Sequence, residues 1–184
     1  EIMGRNSGYI ALNVGLATGA AQIVVNELPF DEERMYEEIL IGKKRGKRHY
    51  IIMVAEGCKG YAEELTEKIQ ERTGVESRFT RLGHVVRGGS PSLRDRVVAS
   101  RMGIEAVDQL LAGKSNIVIC MHGEDIDAMN IEFALTLDHM YKGKLKEGEL
   151  DKYSINEIQE MRQYCTKKAA DFKKLYNQAL DISQ

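Results

Sequence analysis

The run YIIMVA at residues 50–55, followed at once by Glu56 and Gly57, decides the fold class of this chain. Six apolar residues in succession, bounded by polar residues, are typical of a strand that is covered on both faces. NIVICM at residues 116–121 has the same character, and we expect it to be a second strand of this kind. Such strands belong to parallel sheets with helices on both faces.

Strand and helix patterns alternate on either side of this run. Shorter runs predict further strands at residues 22–26 and 77–82. Helical patterns lie between the strands, at residues 9–18, 32–44, 61–72 and 92–111. The alternation predicts an α/β fold, a three-layer parallel sheet flanked by helices, in a domain that we place at residues 1–150.

Two long helices carry regular apolar faces. In the helix at 92–111, Ser92 and Asp95 resemble a capping box. Ser154 and Glu157 form a second capping-box pattern, which opens a final amphipathic helix ending near residue 182. We expect the carboxyl-terminal extension, residues 151–184, to pack back on the domain, with docking on a partner subunit as the alternative. The apolar face of the helix at 92–111 consists of Leu93, Val97, Ile104, Val107 and Leu111.

The composition is ordinary for a globular protein, with 184 residues of which 43% are hydrophobic and 29% charged. No run approaches the length of a membrane span, and the amino terminus has no signal-peptide pattern, so we predict neither. Cys58, Cys120 and Cys165 fit no paired spacing, and we interpret them as reduced thiols of a cytoplasmic protein. The net charge of −2 argues against a nucleic-acid partner.

Polar side chains follow the predicted strands, where the carboxyl ends of parallel strands meet at one edge of a sheet. Glu56 follows the first quoted run, and His84 and Arg87 follow the predicted strand at 77–82, within the stretch GHVVRGGSP. Two cationic side chains beside paired glycines suit a phosphate, while a carboxylate suits hydroxyl groups. The sequence therefore predicts a site for a phosphorylated sugar-like molecule, with Arg78 as a further phosphate ligand.

Simpler interpretations of these residues stay open at this point. Glu56 could pair with a neighbouring lysine, His84 could be a buried and hydrogen-bonded histidine, and Arg87 could cap strand carbonyls. Acidic residues follow His122, but their spacing matches no familiar ligand set, and we predict no metal site.

Four motifs give this chain a specific resemblance to a known family. They are MGR at residues 3–5 with Gly8, VAEG at 54–57, LGHVVRGGSP at 82–91, and DR at 95–96 with ASRMG at 99–103. In this order and at these spacings they resemble the C-terminal half of 6-phosphofructokinase, over residues 1 to about 140. The resemblance implies transfer of a phosphoryl group from ATP or pyrophosphate, with Mg²⁺, to the 1-hydroxyl of fructose 6-phosphate in glycolysis.

The resemblance also implies roles for the predicted site residues. The backbone of Met3 and Gly4 and the side chain of Glu56 would contact the sugar. His84 and Arg87 would bind its 6-phosphate.

Two further arginines take their roles from the resemblance. Arg5 would be the catalytic residue of this chain, because it matches an arginine that stabilises charge on the transferred phosphoryl group. Arg78 would reach the 6-phosphate in the site of a neighbouring subunit. The protein would then be a homo-oligomer, a dimer or a tetramer, with shared active sites.

The basic segment before the first quoted run acquires a second interpretation. Arg45, Lys47 and His49 match positions that in bacterial relatives bind a phosphorylated effector at a subunit interface. Ala21 stands where regulated relatives carry a glutamate, which argues against such regulation. A solvated turn is the alternative for this segment.

The resemblance further implies an N-terminal, nucleotide-binding lobe that lies before Glu1. The family's glycine-rich phosphate loop and its catalytic aspartate belong to that lobe, which would be a partner of this chain. We therefore expect the 184 residues alone to bind neither ATP nor Mg²⁺ and to be inactive as a kinase. The alternative is a non-catalytic sugar-phosphate sensor or regulatory subunit.

Overall fold

The computed structural model describes residues 1–183 of this chain, which form two compact units. The first unit comprises Glu1–Arg87 and the carboxyl-terminal part of the chain from Ala170, and the second comprises Gly88–Ala169. Within the described residues, no helix has the length and apolar character that a membrane crossing requires.

The first unit is built around two short parallel strands. β1 (Gln22–Val24) and β2 (Ile52–Val54) pair along their whole length, with the first residue of each opposite the other. Ile2 adds a single parallel bridge to Ala55, the residue after β2. The helices of this unit are α1 (Tyr9–Thr18), α2 (Glu32–Lys44) and α3 (Tyr61–Thr73), and a 3₁₀ turn follows at Gly83–Val86.

Side chains of the two strands alternate between two buried layers. Ile23 and Met53 lie in one layer, with α1 and with Phe172 from the carboxyl-terminal helix. Val24 and Val54 lie in the other layer. Helices therefore cover both faces of the strands, and the predicted α/β arrangement with parallel strands is confirmed. The members that α2 and α3 add to the second layer are Met35, Tyr36, Ile39, Ala62, Leu65 and Ile69.

The second unit contains a helix, a hairpin and two further helical segments. α4 (Leu93–Leu111) comes first, and β3 (Ile117–His122) and β4 (Asp125–Asn130) then form an antiparallel hairpin. α5 (Ile131–Tyr141) follows the hairpin. α6 (Ile155–Ser183) begins in this unit, and its second half belongs to the first.

Capping side chains define the starts of three helices, two of them at the predicted capping boxes. Asp31 precedes α2, and its carboxylate accepts the N–H of the residue three positions later at 3.1 Å. Ser92 and Asp95 form a reciprocal capping box at the start of α4. Ser154 and Glu157 form another before α6, so the predicted carboxyl-terminal helix is confirmed.

α4 has no buried residue, although its predicted apolar face is present. Leu93 and Ile104 are 80% and 64% exposed. The well-buried residues of the second unit lie instead on α5 and α6, where Thr136 and Met161 are 2% and 1% exposed. The helix was predicted correctly, but its apolar face contributes nothing to the core of this unit.

The predicted strand at residues 77–82 is wrong, since this segment has no strand ladder. Its backbone runs beside Glu1 and Ile2. The Leu82 N–H donates to the Glu1 carbonyl at 3.1 Å, and the Glu1 nitrogen donates to the Thr80 carbonyl at 2.8 Å. These two hydrogen bonds, both to Glu1, do not make a strand ladder, because a strand needs several consecutive hydrogen-bonded residue pairs.

The predicted strand at 116–121 exists as β3, but its predicted place in the parallel sheet is wrong. It pairs antiparallel with β4, and the register runs from His122 opposite Asp125 to Ile117 opposite Asn130. The sequence analysis did not predict β4. Gly123, at a φ of 67°, and Glu124 form the two-residue turn between them. The acidic residues after His122 therefore belong to a hairpin and not to the carboxyl end of a parallel strand.

Candidate anion-binding site

The loop at residues 3–8 (loop 3–8) contacts Glu56. This residue follows β2 and Ala55, which forms the bridge to Ile2. The Glu56 carboxylate accepts hydrogen bonds from the backbone N–H groups of Gly4 and Arg5. These bonds, together with the positive charges of Arg5 and Arg87, lower the pKa of Glu56 below its ordinary value. Glu56 is thus held as a carboxylate at neutral pH.

Close packing leaves loop 3–8 little conformational freedom. The Ser7 N–H donates to the Gly4 carbonyl at 3.1 Å, and a Cβ on Gly4 would collide with the Ser7 carbonyl oxygen. A Cβ on Gly57 would lie 2.8 Å from the Arg5 carbonyl oxygen. Arg5 has a φ of 52°, in the left-handed region, which costs a non-glycine residue about 1–3 kcal/mol. Backbone of this kind is concentrated at functional sites.

Two side chains that follow β1 anchor the same loop. Asn26 Nδ2 donates to the Asn6 carbonyl at 3.2 Å, and Glu27 accepts the Gly8 N–H at 2.8 Å. The other oxygen of Glu27, Oε2, is buried without a partner among the described residues. Sequence reasoning missed both residues. The available signal was this polar pair, which directly follows the apolar run IVV at residues 23–25.

Arg87, the residue that follows the 3₁₀ turn, places a positive charge beside this loop. Its Nε lies 3.1 Å from Met3 Sδ, and its charge acts on the Glu56 carboxyl. Gly88 and Gly89 follow with φ values of 87° and 89°, which favour glycine. The predicted residues that the structure brings together are therefore Met3, Gly4, Arg5, Glu56 and Arg87.

His84 lies on the 3₁₀ turn just before Arg87. It is exposed, and its carbonyl accepts the Arg87 N–H at 2.9 Å. The interpretation of His84 as a buried histidine is therefore wrong. Within the described residues, Glu56 bonds backbone amides and forms no ion pair with a lysine, so the simpler reading of that carboxylate is wrong as well.

An open cleft of about 480 Å³ lies beside loop 3–8. Arg5, Glu56, Lys59 and Arg81 are among the residues that line it. Arg81 forms an ion pair with Glu1, with 2.6 Å between Arg81 Nε and Glu1 Oε1. Sequence reasoning overlooked Lys59, although it follows the same strand three residues after Glu56. Cations and a carboxylate in one cleft suit a ligand that carries both a phosphate and hydroxyl groups.

Arg78 lies outside this cluster. Its guanidinium pairs with Glu76 at 2.8 Å, and its side chain is 84% exposed. The structure therefore does not bring Arg78 to the other predicted phosphate ligands of the same chain.

The predicted effector residues lie at two separate clefts. Arg45 and Lys47 line a cleft of about 450 Å³ together with Ala21. His49 lines a different cleft, and the structure thus brings only two of the three cations together.

Residues 1–183 contain no cluster of three or more His, Cys, Asp or Glu side chains that could hold a metal ion. His122 Nδ1 and Asp127 Oδ2 are 3.5 Å apart on the hairpin, which is a pair and not a ligand set. The three cysteines are free thiols.

Fold and site together define a class of protein. It is an α/β protein whose parallel strands end at a strained, glycine-containing loop, beside an ionised carboxylate and exposed cationic side chains. Ligands of such folds bind beyond the carboxyl ends of the strands.

Comparison with known proteins identifies the family. The family model described as "PFK: Phosphofructokinase" matches residues 1–110. ATP-dependent 6-phosphofructokinase 1 of Clostridium perfringens (strain 13 / Type A) is 48% identical over 147 residues, and so is the ATP-dependent 6-phosphofructokinase of Clostridium tetani (strain Massachusetts / E88). Each match covers 80% of this chain and 46% of the relative.

A solved structure agrees with this result. Pichia pastoris phosphofructokinase in the T-state aligns with a TM-score of 0.70 at 25% identity, over 99% of this chain and 20% of that chain. This chain belongs to the phosphofructokinase family, and the resemblance drawn from its motifs is confirmed. It spans about half the length of the curated relatives that it matches.

Proposed function

We propose that this chain is the sugar-phosphate-binding part of a 6-phosphofructokinase, which transfers a phosphoryl group from ATP to the 1-hydroxyl of fructose 6-phosphate. The product is fructose 1,6-bisphosphate. The observation that carries the proposal is the Glu56 carboxylate, held ionised by the amides of loop 3–8 and by the charge of Arg87. The names of the curated relatives, ATP-dependent 6-phosphofructokinases, support ATP over pyrophosphate as the donor.

The cluster offers a different partner to each end of a sugar phosphate. In this proposal Glu56 accepts hydrogen bonds from the sugar hydroxyls, beside the backbone of Met3 and Gly4. Arg87, with His84 from the same turn, binds the 6-phosphate through charge-assisted hydrogen bonds. The phosphate held in this way is the one that is not transferred.

Arg5 is the proposed catalytic residue of this chain. Its positive charge acts on Glu56, and it lines the cleft beside Lys59. A cation at this place stabilises the negative charge that develops on a phosphoryl group during transfer. The fixed backbone of loop 3–8 supports this role, because a charge that is already in position needs no reorganisation during the reaction.

The donor side of the reaction lies outside this chain in the proposal. The match covers only 46% of the relatives, and the family's glycine-rich phosphate loop and catalytic aspartate belong to the part of the relatives that the match leaves out. We therefore assign ATP, Mg²⁺ and the catalytic base to the N-terminal lobe of the family, and we expect the chain alone to be inactive. Residues 1–150 would form the sugar-phosphate lobe, with residues 151–184 as its extension.

The apolar face of α4 supports such a partner lobe. Leu93, Val97 and Ile104 are 80%, 49% and 64% exposed, on a helix of 19 residues that buries none of them. Helices in proteins are stabilised mainly by packing an apolar face, and large exposed patches mark interaction surfaces. We propose that the N-terminal lobe of the enzyme covers this face.

Oligomer formation and regulation complete the proposal. Arg78 is 84% exposed, which suits a residue that reaches the site of a neighbouring subunit in a homo-oligomer. Arg45 and Lys47 share a cleft that would accept an anionic effector, although Ala21 lines it where regulated relatives carry a glutamate. A non-catalytic sugar-phosphate sensor is the alternative, because it would need the same binding residues and no donor side.

Isothermal titration of the chain with fructose 6-phosphate tests the binding claim. Arg87→Ala should weaken binding at least about tenfold, the loss expected for one charge-assisted hydrogen bond. Arg162→Ala removes an exposed arginine of α6 and is the matched control, with unchanged affinity expected. Equal affinity of the wild-type and Arg87→Ala chains would remove Arg87 from the site. A wild-type chain that does not bind fructose 6-phosphate would overturn the proposal.

Adding the missing lobe separates the enzyme from the sensor. The amino-terminal half of the Clostridium perfringens relative, mixed with this chain, should restore production of fructose 1,6-bisphosphate from ATP, and Arg5→Ala should abolish it. Binding without any such turnover would favour the sensor.

A further inference from the structure

A cleft of about 270 Å³ lies within the first unit, between the amino end of α2 and the carboxyl-terminal half of α6 (the α6 cleft). The apolar part of its lining comes from the loop before α2 and from the end of α6. Its lining residues differ from those of the cleft beside loop 3–8, so it is a separate place on the molecule. The polar side chains that line it are Gln22, Asp31, Arg34, Lys173, Tyr176 and Asn177.

Both walls of the α6 cleft are held in place by the first unit itself. On α6, Phe172 and Ala179 are buried in the layer that also contains Ile23. The Phe172 ring packs edge to face on Tyr9, with 5.0 Å between the ring centroids. On the opposite wall, the carboxylate of Asp31 caps α2. The cleft is therefore formed before any ligand binds, as is usual for small-molecule sites.

Tyr176 offers an unused hydrogen-bonding group at this cleft. Its side chain is 8% exposed, and its hydroxyl has no hydrogen-bond partner among residues 1–183. The hydroxyl is not one of the fully enclosed polar atoms of the described chain, so it is open to the cleft that Tyr176 lines. Burial raises the pKa of Tyr176, and the positive charge of Arg34 acts on it. Because buried tyrosine hydroxyls usually have a partner, a ligand with an acceptor oxygen would complete this one.

Two cationic side chains at the cleft also have donors to spare. Arg34 pairs with Glu38 through Nε, 2.8 Å from Oε1, and its two terminal nitrogens bond nothing else that the structure describes. Lys173 forms no ion pair with a described residue. Arg34 also lines the cleft of about 450 Å³ described above, whereas Lys173 lines the α6 cleft. The planar donors of a guanidinium suit the two oxygens of a carboxylate.

The charges around the cleft indicate the charge of its ligand. Arg34 and Lys173 carry two positive charges and Asp31 one negative charge, which leaves one net positive charge. The carboxylate of Glu38 beside Arg34 adds repulsion for anions. A carboxylate carries one negative charge at neutral pH, whereas a phosphate monoester carries about −1.5 to −2. The lining therefore favours a monocarboxylate over a phosphate.

We propose that the α6 cleft binds a small aromatic carboxylate. The carboxylate accepts hydrogen bonds from Tyr176 and Arg34 and pairs with Lys173, while the ring lies against Phe30 and Leu180. The volume of about 270 Å³ is just below the range of about 300–1,000 Å³ typical of ligand pockets, so the ligand is a single ring with a short side chain. The inference is independent of the fructose 6-phosphate site.

Titration of the full chain with 3-phenylpropionate, followed through ¹³C-labelled leucine methyl groups, tests the inference. The Leu28 and Leu180 signals should shift and saturate, with a dissociation constant in about the millimolar range expected of so small a ligand. The signal of Leu65, which is buried in the other layer, should not move. Tyr176→Phe keeps the ring and should weaken binding about two- to tenfold, the range for one neutral hydrogen bond.

Two neighbouring lysines of α6 provide a matched pair of variants, because both are exposed. Lys173→Ala should weaken binding about two- to fivefold, the range for an exposed ion pair. Lys174→Ala changes a residue outside the lining and should leave the affinity unchanged. Phenyl phosphate, with its higher charge, should bind less tightly than 3-phenylpropionate.

Three results would overturn the inference. The first is that the Leu28 and Leu180 signals stay in place up to about 20 mM 3-phenylpropionate, well above the expected dissociation constant. The second is equal affinity of the wild-type, Tyr176→Phe and Lys173→Ala chains, which would place the ligand elsewhere. The third is tighter binding of phenyl phosphate, which would assign the cleft to a phosphate.

Discussion

The two units of this chain differ in how far the apolar faces of their amphipathic helices are buried. In the first unit the apolar faces are buried, with Leu12 and Met35 fully covered and Leu65 1% exposed. In the second unit α4 has an equally regular apolar face, yet none of its residues is buried, and Leu111 is 81% exposed. Periodicity thus predicts that a helix forms and which of its faces is apolar, but it does not determine whether that face is buried.

The largest contrast between the units should appear in stability. Leu65→Ala removes a side chain from the buried layer between β2, α2 and α3, and it should lower the free energy of unfolding by about 2–5 kcal/mol. Ile104→Ala truncates the exposed face of α4, where we expect a change within about 0.5 kcal/mol. Urea denaturation of both variants measures the difference. Losses of similar size would show that α4 is packed in solution and would break the comparison.

A smaller contrast, of opposite sign, concerns two glycines. Gly57→Ala places a Cβ 2.8 Å from the Arg5 carbonyl oxygen, so we expect it to disturb loop 3–8 and to destabilise the protein by about 1–3 kcal/mol. Gly103 lies inside α4 with nothing within 4 Å of an added Cβ. Gly103→Ala should therefore stabilise the chain by about 0.5–1 kcal/mol through helix propensity. Thermal denaturation measures both, and a destabilising Gly103→Ala would indicate close packing at α4.

The smallest contrast concerns one carboxylate in each unit. The Lys146 N–H and His139 lower the pKa of Glu149 below its ordinary value, as the loop amides do for Glu56. A carboxyl whose pKa is depressed by folding adds stability above its unfolded pKa, and this is lost as the pH falls through the folded value. Glu149→Gln and Glu56→Gln should each flatten the loss of stability below about pH 4.5.

Ligand binding separates these two variants. Only Glu56→Gln should also weaken fructose 6-phosphate binding, by about tenfold if a charged hydrogen bond is lost. Denaturation at a series of acidic pH values and titration at neutral pH make the two measurements. Weakened binding in Glu149→Gln would show that the second unit takes part in the site.

The sequence predicted those features that depend on local signals. Capping residues such as Ser92 and Ser154, the apolar run that contains β2, and the Glu56 that follows it act within a few residues of chain. The motif residues Met3 and Arg87 lie far apart in sequence, and it was the family resemblance that brought them to one site.

The features that the sequence did not predict depend on distant neighbours. The segment at residues 77–82 bonds Glu1 at two points and forms no strand ladder within the described residues. The first four residues of β4, DIDA, alternate polar and apolar residues, a half-exposed pattern that a search for doubly covered strands passes over. Asn26 and Glu27 acquire their roles only because loop 3–8 passes close to the end of β1.

Met3 offers the most direct test of the proposed site, since its Sδ lies 3.1 Å from Arg87 Nε. In a chain with ¹³C-labelled methionine methyl groups, fructose 6-phosphate should shift the Met3 signal and leave the buried Met35 and Met161 unchanged. Fructose, which has no phosphate, should cause no shift, and Arg87→Ala should abolish the effect. A Met3 signal that stays in place while fructose 6-phosphate binds would contradict the site, because the sugar phosphate would then lie elsewhere.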